Sequence, residues 1–147
     1  MGRLRKFGTI LQKRPGAGGE SCLQDFCAVG KIRMLKDKDI REPLFDFLEE
    51  TYGKIRILEE KTMGRSRADA VMVTENALYG IEIKSDADTY ARLQRQVKDY
   101  DLYYDFNYAV VGTSHALHVG EHLPDWWGII TAELEEGRVD FYILRKP

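Results

Sequence analysis

Glu82 and Lys84 lie two residues apart in the run A-L-Y-G-I-E-I-K (77–84), whose other members are apolar or small. In a strand, that spacing points both side chains to one face. Apolar flanks on both sides mark the strand as central, and burying charges there is expensive unless they are paired or bind a metal. Asp69 sits in a second apolar run, A-D-A-V-M-V (68–73). If the two runs form a hairpin, Asp69 can reach the same face. Two carboxylates brought together repel, and one of them tends to take a proton. A divalent cation resolves the conflict. Mg2+ or Mn2+ takes one or two carboxylates plus waters, polarises a phosphate oxygen and activates a bound water. Lys84 would orient that water or stabilise the charge that builds on phosphorus. The competing reading is a buried Asp/Glu–Lys network that fixes strand register, which E-x-K alone would favour.

The surrounding sequence supplies elements that could position these groups. D-I-R-E (39–42) has capping-box spacing, with Asp39 as helix cap and Pro43 in the first turn. Ile40, Leu44, Phe47 and Leu48 form a helical stripe, and Gly53 ends it. Strands are expected at 54–61, 68–74 and 77–84, with a polar loop at 62–67 and a turn at Glu75-Asn76. A long helix then starts near Asp86 or Asp88. Tyr90, Leu93, Val97, Tyr100 and Tyr104 form its inner stripe, and Gln96 lies one turn before Tyr100 on the same edge. A buried strand follows at 107–112, a short helix at 114–122, and a hairpin of 127–133 and 139–144 around E-E-G-R. The order α-β-β-β-α-β, plus a C-terminal helix and hairpin, predicts an α/β fold with a mixed sheet flanked by helices.

A chain of 147 residues has room for one domain, expected at 34–147 behind a basic arm at 1–33. No apolar run reaches the ~20 residues of a membrane span. The basic N-terminus has no apolar h-region, so a cytoplasmic protein without a membrane partner is expected. Cys22 and Cys27 read as ordinary reduced thiols. Cys22, Leu23, Phe26 and Val29 could form one amphipathic turn. Net charge is −2, but residues 1–38 carry nine Lys or Arg against three acids. On an acidic body, nucleic-acid contact must rely on local basic groups and metal ions. Arg65, Arg67 and Arg92 are the candidates for phosphate contact, with Arg95 and Lys98 read as ordinary exposed charge. His115, His118 and His122 read as scattered packing or surface residues, and Trp126 and Trp127 as core or interface aromatics.

The string Asp69, Glu82-Ile83-Lys84, Gln96-x-x-x-Tyr100 resembles the D…E-x-K…Q-x-x-x-Y pattern of the RecB-like branch of the PD-(D/E)XK nuclease superfamily. The region from about Asp39 to Gly112 also resembles that superfamily's restriction-endonuclease-like core. The closer resemblance is to a family of small bacterial and phage-associated proteins within it. It rests on D-I-R-E, R-A-D (67–69), G-I-E-I-K-S-D-A-D-T (80–89), R-L-Q-R-Q (92–96), His115 and W-W-G-I-I (126–130). The resemblance implies a nuclease, with DNA as the expected substrate and Mg2+ or Mn2+ as cofactor. It implies Asp69, Glu82 and the Ile83 carbonyl as metal ligands, Lys84 as catalytic lysine, and Gln96 and Tyr100 as residues that position water or substrate. It also points to a carboxylate from the first helix, for which Glu42 is the candidate; a capping partner is its other reading. Ala68 replaces the proline that names the superfamily, a common departure. Cutting both strands of a duplex usually takes two sites, so a homodimer is among the expected assemblies. Two other readings stay open: a nucleic-acid-binding or assembly subunit with little activity alone, and a structural protein with a buried ionic network.

Overall fold

Ile40, Leu44 and Leu48 recur every fourth residue, and all three are fully buried along α1, Asp37–Tyr52. The computed structural model describes residues 34–147, so the expected amphipathic turn at 22–29 and the basic arm lie outside the described residues. Helix α1 starts three residues earlier than D-I-R-E suggests, with Lys36 and not Asp39 at the cap position. The Asp39 carboxylate accepts from the Lys36 backbone N–H at 3.1 Å, so Asp39 reaches back from inside the first turn instead of capping it. Pro43 therefore falls in the second turn, where it cannot donate to the Asp39 carbonyl. Gly53 (φ 78) closes the helix, and its N–H reaches the Glu49 carbonyl at 2.8 Å.

Strand β1 (Arg56–Met63) and strand β2 (Ser66–Val73) are antiparallel. Most of the polar stretch expected as a loop is strand, closed by a two-residue turn at Gly64-Arg65 with Gly64 at φ 56. Met63 is the apolar anchor of this tip, buried against the α2 side of the sheet, while Thr62 and Arg67 stay in solvent. Strand β3 (Leu78–Lys84) returns antiparallel to β2 across the Glu75-Asn76 turn. A 3-10 turn (Tyr90–Arg92) leads into α2 (Leu93–Tyr103), which crosses over to β4 (Phe106–Gly112), parallel to β3. Asp86 and Asp88 cap no helix. Asp88 accepts from the N–H and Oγ of Ser85 at 2.8 and 2.7 Å, and Asp86 from Ser114 Oγ and the Leu35 N–H. These loop bonds take up both carboxylates, and α2 begins later.

The expected helix at 114–122 is two single turns, α3 (Thr113–Ala116) and a 3-10 turn (Val119–Glu121). They lead to β5 (Gly128–Glu135), parallel to β4, and then to β6 (Arg138–Arg145), antiparallel. Glu136 and Gly137, both at positive φ, make the β5–β6 turn. The sheet order is β1-β2-β3-β4-β5-β6. The run α1-β1-β2-β3-α2-β4 with an appended hairpin is the α/β order expected from the sequence, a mixed sheet flanked by helices. Ile40, Leu44 and Leu48 pack with Met72, Ile81 and Val110 on one face; Leu93, Val97 and Tyr100 pack with Val71, Val111 and Trp127 on the other. No helix among the described residues is long and apolar enough to cross a membrane.

Gly80 sets how closely α2 approaches β3. A Cβ there would overlap Tyr100, Tyr104 and Asn107. Gly80→Ala should therefore destabilise the fold by about 1–3 kcal/mol, read as a lower urea midpoint; an unchanged midpoint would show that α2 can move away freely.

Candidate active site

Strand β3 runs between β2 and β4, so its polar side chains must find partners inside the protein. Ile81 and Ile83 face α1, whereas Gly80, Glu82 and Lys84 face α2. Glu82 is 2% exposed and Lys84 7%. Lys84 Nζ lies 2.7 Å from Glu82 Oε1 and donates to Gln96 Oε1 at 3.1 Å. Gln96 Nε2 donates to the same Glu82 oxygen at 2.5 Å. The Tyr100 hydroxyl lies 2.7 Å from Glu82 Oε2 and 3.0 Å from the Ile81 carbonyl. Burial, then the charges of Glu82 and Asp69, drive the Tyr100 phenol far above its ordinary range, so it serves as a fixed donor. Behind it, the Trp127 ring meets Tyr100 edge-on at 5.2 Å. The indole N–H groups of Trp127 and Trp126 both donate to Asp101, at 2.8 and 3.1 Å; Trp127 is buried and Trp126 exposed.

Asp69 occupies a break in the sheet. The β1–β2 ladder skips the Glu60–Asp69 position, and Glu60 has φ 52, a region costly for a residue with a Cβ. The β2–β3 ladder stops at Ala70↔Ile81. Asp69 thus has no ladder partner on either side. Its Oδ2 accepts the Ile83 N–H at 2.7 Å, a bond that a regular β2–β3 ladder would have made between main chains. The same break interrupts strand alternation, because Ala68 and Val71 pack on the α2 face while Ala70 and Met72 pack on the α1 face. From α1, Arg41 Nη1 donates to the Asp69 carbonyl at 3.1 Å, and Nη2 lies 3.7 Å from Asp69 Oδ1. Burial first, then the Glu82 charge, raise the Asp69 carboxyl from its ordinary 3.8 to about 7, against the lowering effects of the Ile83 N–H and Arg41.

Asp69, Glu82, Ile83, Lys84 and Gln96 share one polar cavity of about 650 Å3. Arg65 and Arg67 line it from the β1–β2 tip, and Arg92 and Arg95 from the start of α2. Arg95, an exposed charge, also lines the cavity, while Lys98 does not. Tyr100 lies behind Glu82, not in the cavity wall. Glu42 is exposed and does not line the cavity. Asp37 and Arg41, four apart on one edge of α1, line it instead. Sequence reasoning passed over Arg41, although it stands within D-I-R-E; its importance comes from the sheet break, which no local pattern announces. The histidines are scattered: His115 and His122 pack on Tyr90 at 5.0 and 4.3 Å, His118 is exposed, and none lines the cavity.

The donor set fits a hard divalent cation. Asp69 Oδ1 faces Arg41 only beyond hydrogen-bond distance. Three bonds reach Glu82, fewer than its two oxygens can accept. The Ile83 carbonyl leaves the strand on the same side as its N–H, toward Asp69. Two carboxylates and a carbonyl, completed by water, suit Mg2+ or Mn2+. They do not suit zinc, which wants three or four side-chain ligands. Among the described residues no group of three His, Cys, Asp or Glu side chains is placed to hold a metal.

A family model described as Bacteriophage P4 protein cII matches residues 31–147. No curated protein matches the chain. Among solved structures, one described as "The structure of Pyrococcus Furiosus SfsA in complex with Ca2+" is similar at 14% identity and a TM-score of 0.44, over 69% of this chain. The chain spans 58% of the length of that protein.

Because Asp69 holds its proton more tightly folded than unfolded, its contribution to stability is complete below its ordinary 3.8 and is lost as pH rises through about 7. In the presence of chelator, the melting temperature of Asp69→Asn should therefore fall less than that of the parent across this window; identical pH profiles would contradict a buried, raised carboxyl.

Proposed function

This chain belongs to the bacteriophage P4 protein cII family, and we propose that it is a metal-dependent nuclease that hydrolyses phosphodiester bonds in nucleic acid, with DNA as the substrate. The observation that carries the reading is the convergence of Asp69, Glu82, Lys84 and Gln96 on one cavity rimmed by arginines. A fixed ion pair alone calls for neither a solvent-facing cavity nor a basic rim. Asp69, Glu82 and the Ile83 carbonyl would hold Mg2+ or Mn2+. Bound there, the cation supplies Lewis-acid polarisation of a phosphate oxygen and lowers the pKa of a coordinated water.

The chain's own residues do the rest. Gln96 holds Lys84 Nζ against Glu82, so the ammonium is fixed before substrate arrives. In that position it stabilises the extra negative charge that develops on the phosphate as water oxygen bonds to phosphorus. The bridging P–O bond opposite breaks, the attacking water gives up a proton to solvent, and the departing oxygen gains one. Tyr100 locks the far side of Glu82, so its role is to position the carboxylate. Arg65, Arg67 and Arg92, joined by Arg95, would grip the flanking phosphates.

One observation favours a second reading, a structural ionic network: Lys84, Gln96 and Tyr100 already reach both oxygens of Glu82. The two readings separate on metal and on cleavage. The nuclease reading predicts Mg2+- or Mn2+-dependent nicking of DNA that falls by at least about 100-fold in Lys84→Ala and Asp69→Ala, with far-UV circular dichroism unchanged. It also predicts that Mg2+ raises the melting temperature of the parent. Cleavage that survives Lys84→Ala, or a melting temperature indifferent to Mg2+, would favour the network.

A further inference from the structure

The Arg41 side chain is 16% exposed, lies within 4.0 Å of four carboxylates and hydrogen-bonds one carbonyl. Its Nε donates to Asp37 Oδ2 at 2.7 Å, and Nη1 lies 3.3 Å from Glu59 Oε2. Nη2 is 4.0 Å from Glu60 Oε1 and 3.7 Å from Asp69 Oδ1. The contact that distinguishes Arg41 from an ordinary ion pair is the 3.1 Å bond from Nη1 to the Asp69 main-chain carbonyl. Where β1 and β2 lose pairing at Glu60 and Asp69, that carbonyl takes its donor from a side chain instead of a neighbouring strand. A buried carbonyl without a donor is costly.

Resting on the nuclease reading, we propose that Arg41 is the positioning residue for Asp69: its fork holds β2 in the broken register that keeps the Asp69 carboxylate facing the metal. The geometry demands a fork. One arm holds the carbonyl, the other lies beside the carboxylate, and Asp37 fixes the plane through Nε. Lysine keeps the charge but cannot hold separate points in one plane. Without Arg41, pairing Asp69 with Glu60 becomes the way to satisfy the carbonyl. Regular pairing would relax Glu60 from its positive φ and bring strict alternation to β2, changing where the Asp69 side chain points.

Mn2+ binding to the full chain, measured by calorimetry without nucleic acid, tests this. Arg41→Lys should weaken Mn2+ by about 10- to 100-fold, the usual cost of removing a group that orients a metal ligand. Asp37→Ala, which removes the acceptor that braces Nε, should weaken it in the same direction by less, and decides the matter if Arg41→Lys does not fold. In Arg41→Ala, added guanidinium ion should restore Mn2+ binding, which it would not do for a merely loosened fold. The proposal is overturned if folded Arg41→Lys binds Mn2+ within about two-fold of the parent. It is also overturned if Arg41→Ala binds Mn2+ more tightly, since Arg41 would then be a competing cation. A parent chain that neither binds Mn2+ nor cleaves DNA overturns the nuclease reading, and this inference with it; a parent that does both, beside an indifferent Arg41→Lys, overturns this inference alone.

Discussion

The structure depends on two charges buried in its central strand. Glu82 and Lys84 have left water almost completely, a transfer that costs several kcal/mol per ion unless partners replace the solvent. The replacements come from one helix. Gln96 serves both ions with one amide, its oxygen to Lys84 and its nitrogen to Glu82, while Tyr100 takes the remaining carboxylate oxygen. The placement of α2 over β3 is therefore an electrostatic requirement as much as an apolar one. Gly80 serves it by letting the helix come close, and Leu93 and Val97 by holding it there.

A fully satisfied ionic core would be inert, and Asp69 is what makes this one different. Its position between two interrupted ladders leaves its carboxylate on the Ile83 N–H and in the wall of the cavity. The break stores cost in Glu60, a residue with a Cβ in the left-handed region. Strain of this kind persists only where surrounding contacts over-determine it, and here Arg41 and the Ile83 N–H supply those contacts.

What could be read from the sequence follows the range of the interactions. Period-two and period-3.6 patterns are local, so α1, β3, the Glu75-Asn76 turn and the stripe on α2 were legible, as was the sharing of one face by Glu82 and Lys84. The spacing of Gln96 and Tyr100 also survived, because four residues on a helix is fixed geometry. Three features were not legible, and each depends on a distant partner. Thr62, Ser66 and Arg67 are polar, and they are held in strand because Met63 finds the α2-side core. Asp86 and Asp88 look like helix caps until the loop recruits them. Arg41 and Asp37 line the cavity in place of Glu42 because α1 meets β2 at a ladder gap that period-two reading cannot reveal.

The contact between Trp127 and Tyr100 has an optical consequence. The Trp127 indole is buried, its ring lies edge-on against Tyr100, and the Tyr100 hydroxyl ends on Glu82. Any change in the charge or ligation of that carboxylate is thus one hydrogen bond and one ring contact away from a shielded fluorophore. Trp126 is solvent-facing and shares the Asp101 anchor, so the two indoles emit from different dielectric surroundings. The domain carries its own spectroscopic probe of Glu82, with a neighbouring solvent-exposed reference and no label needed.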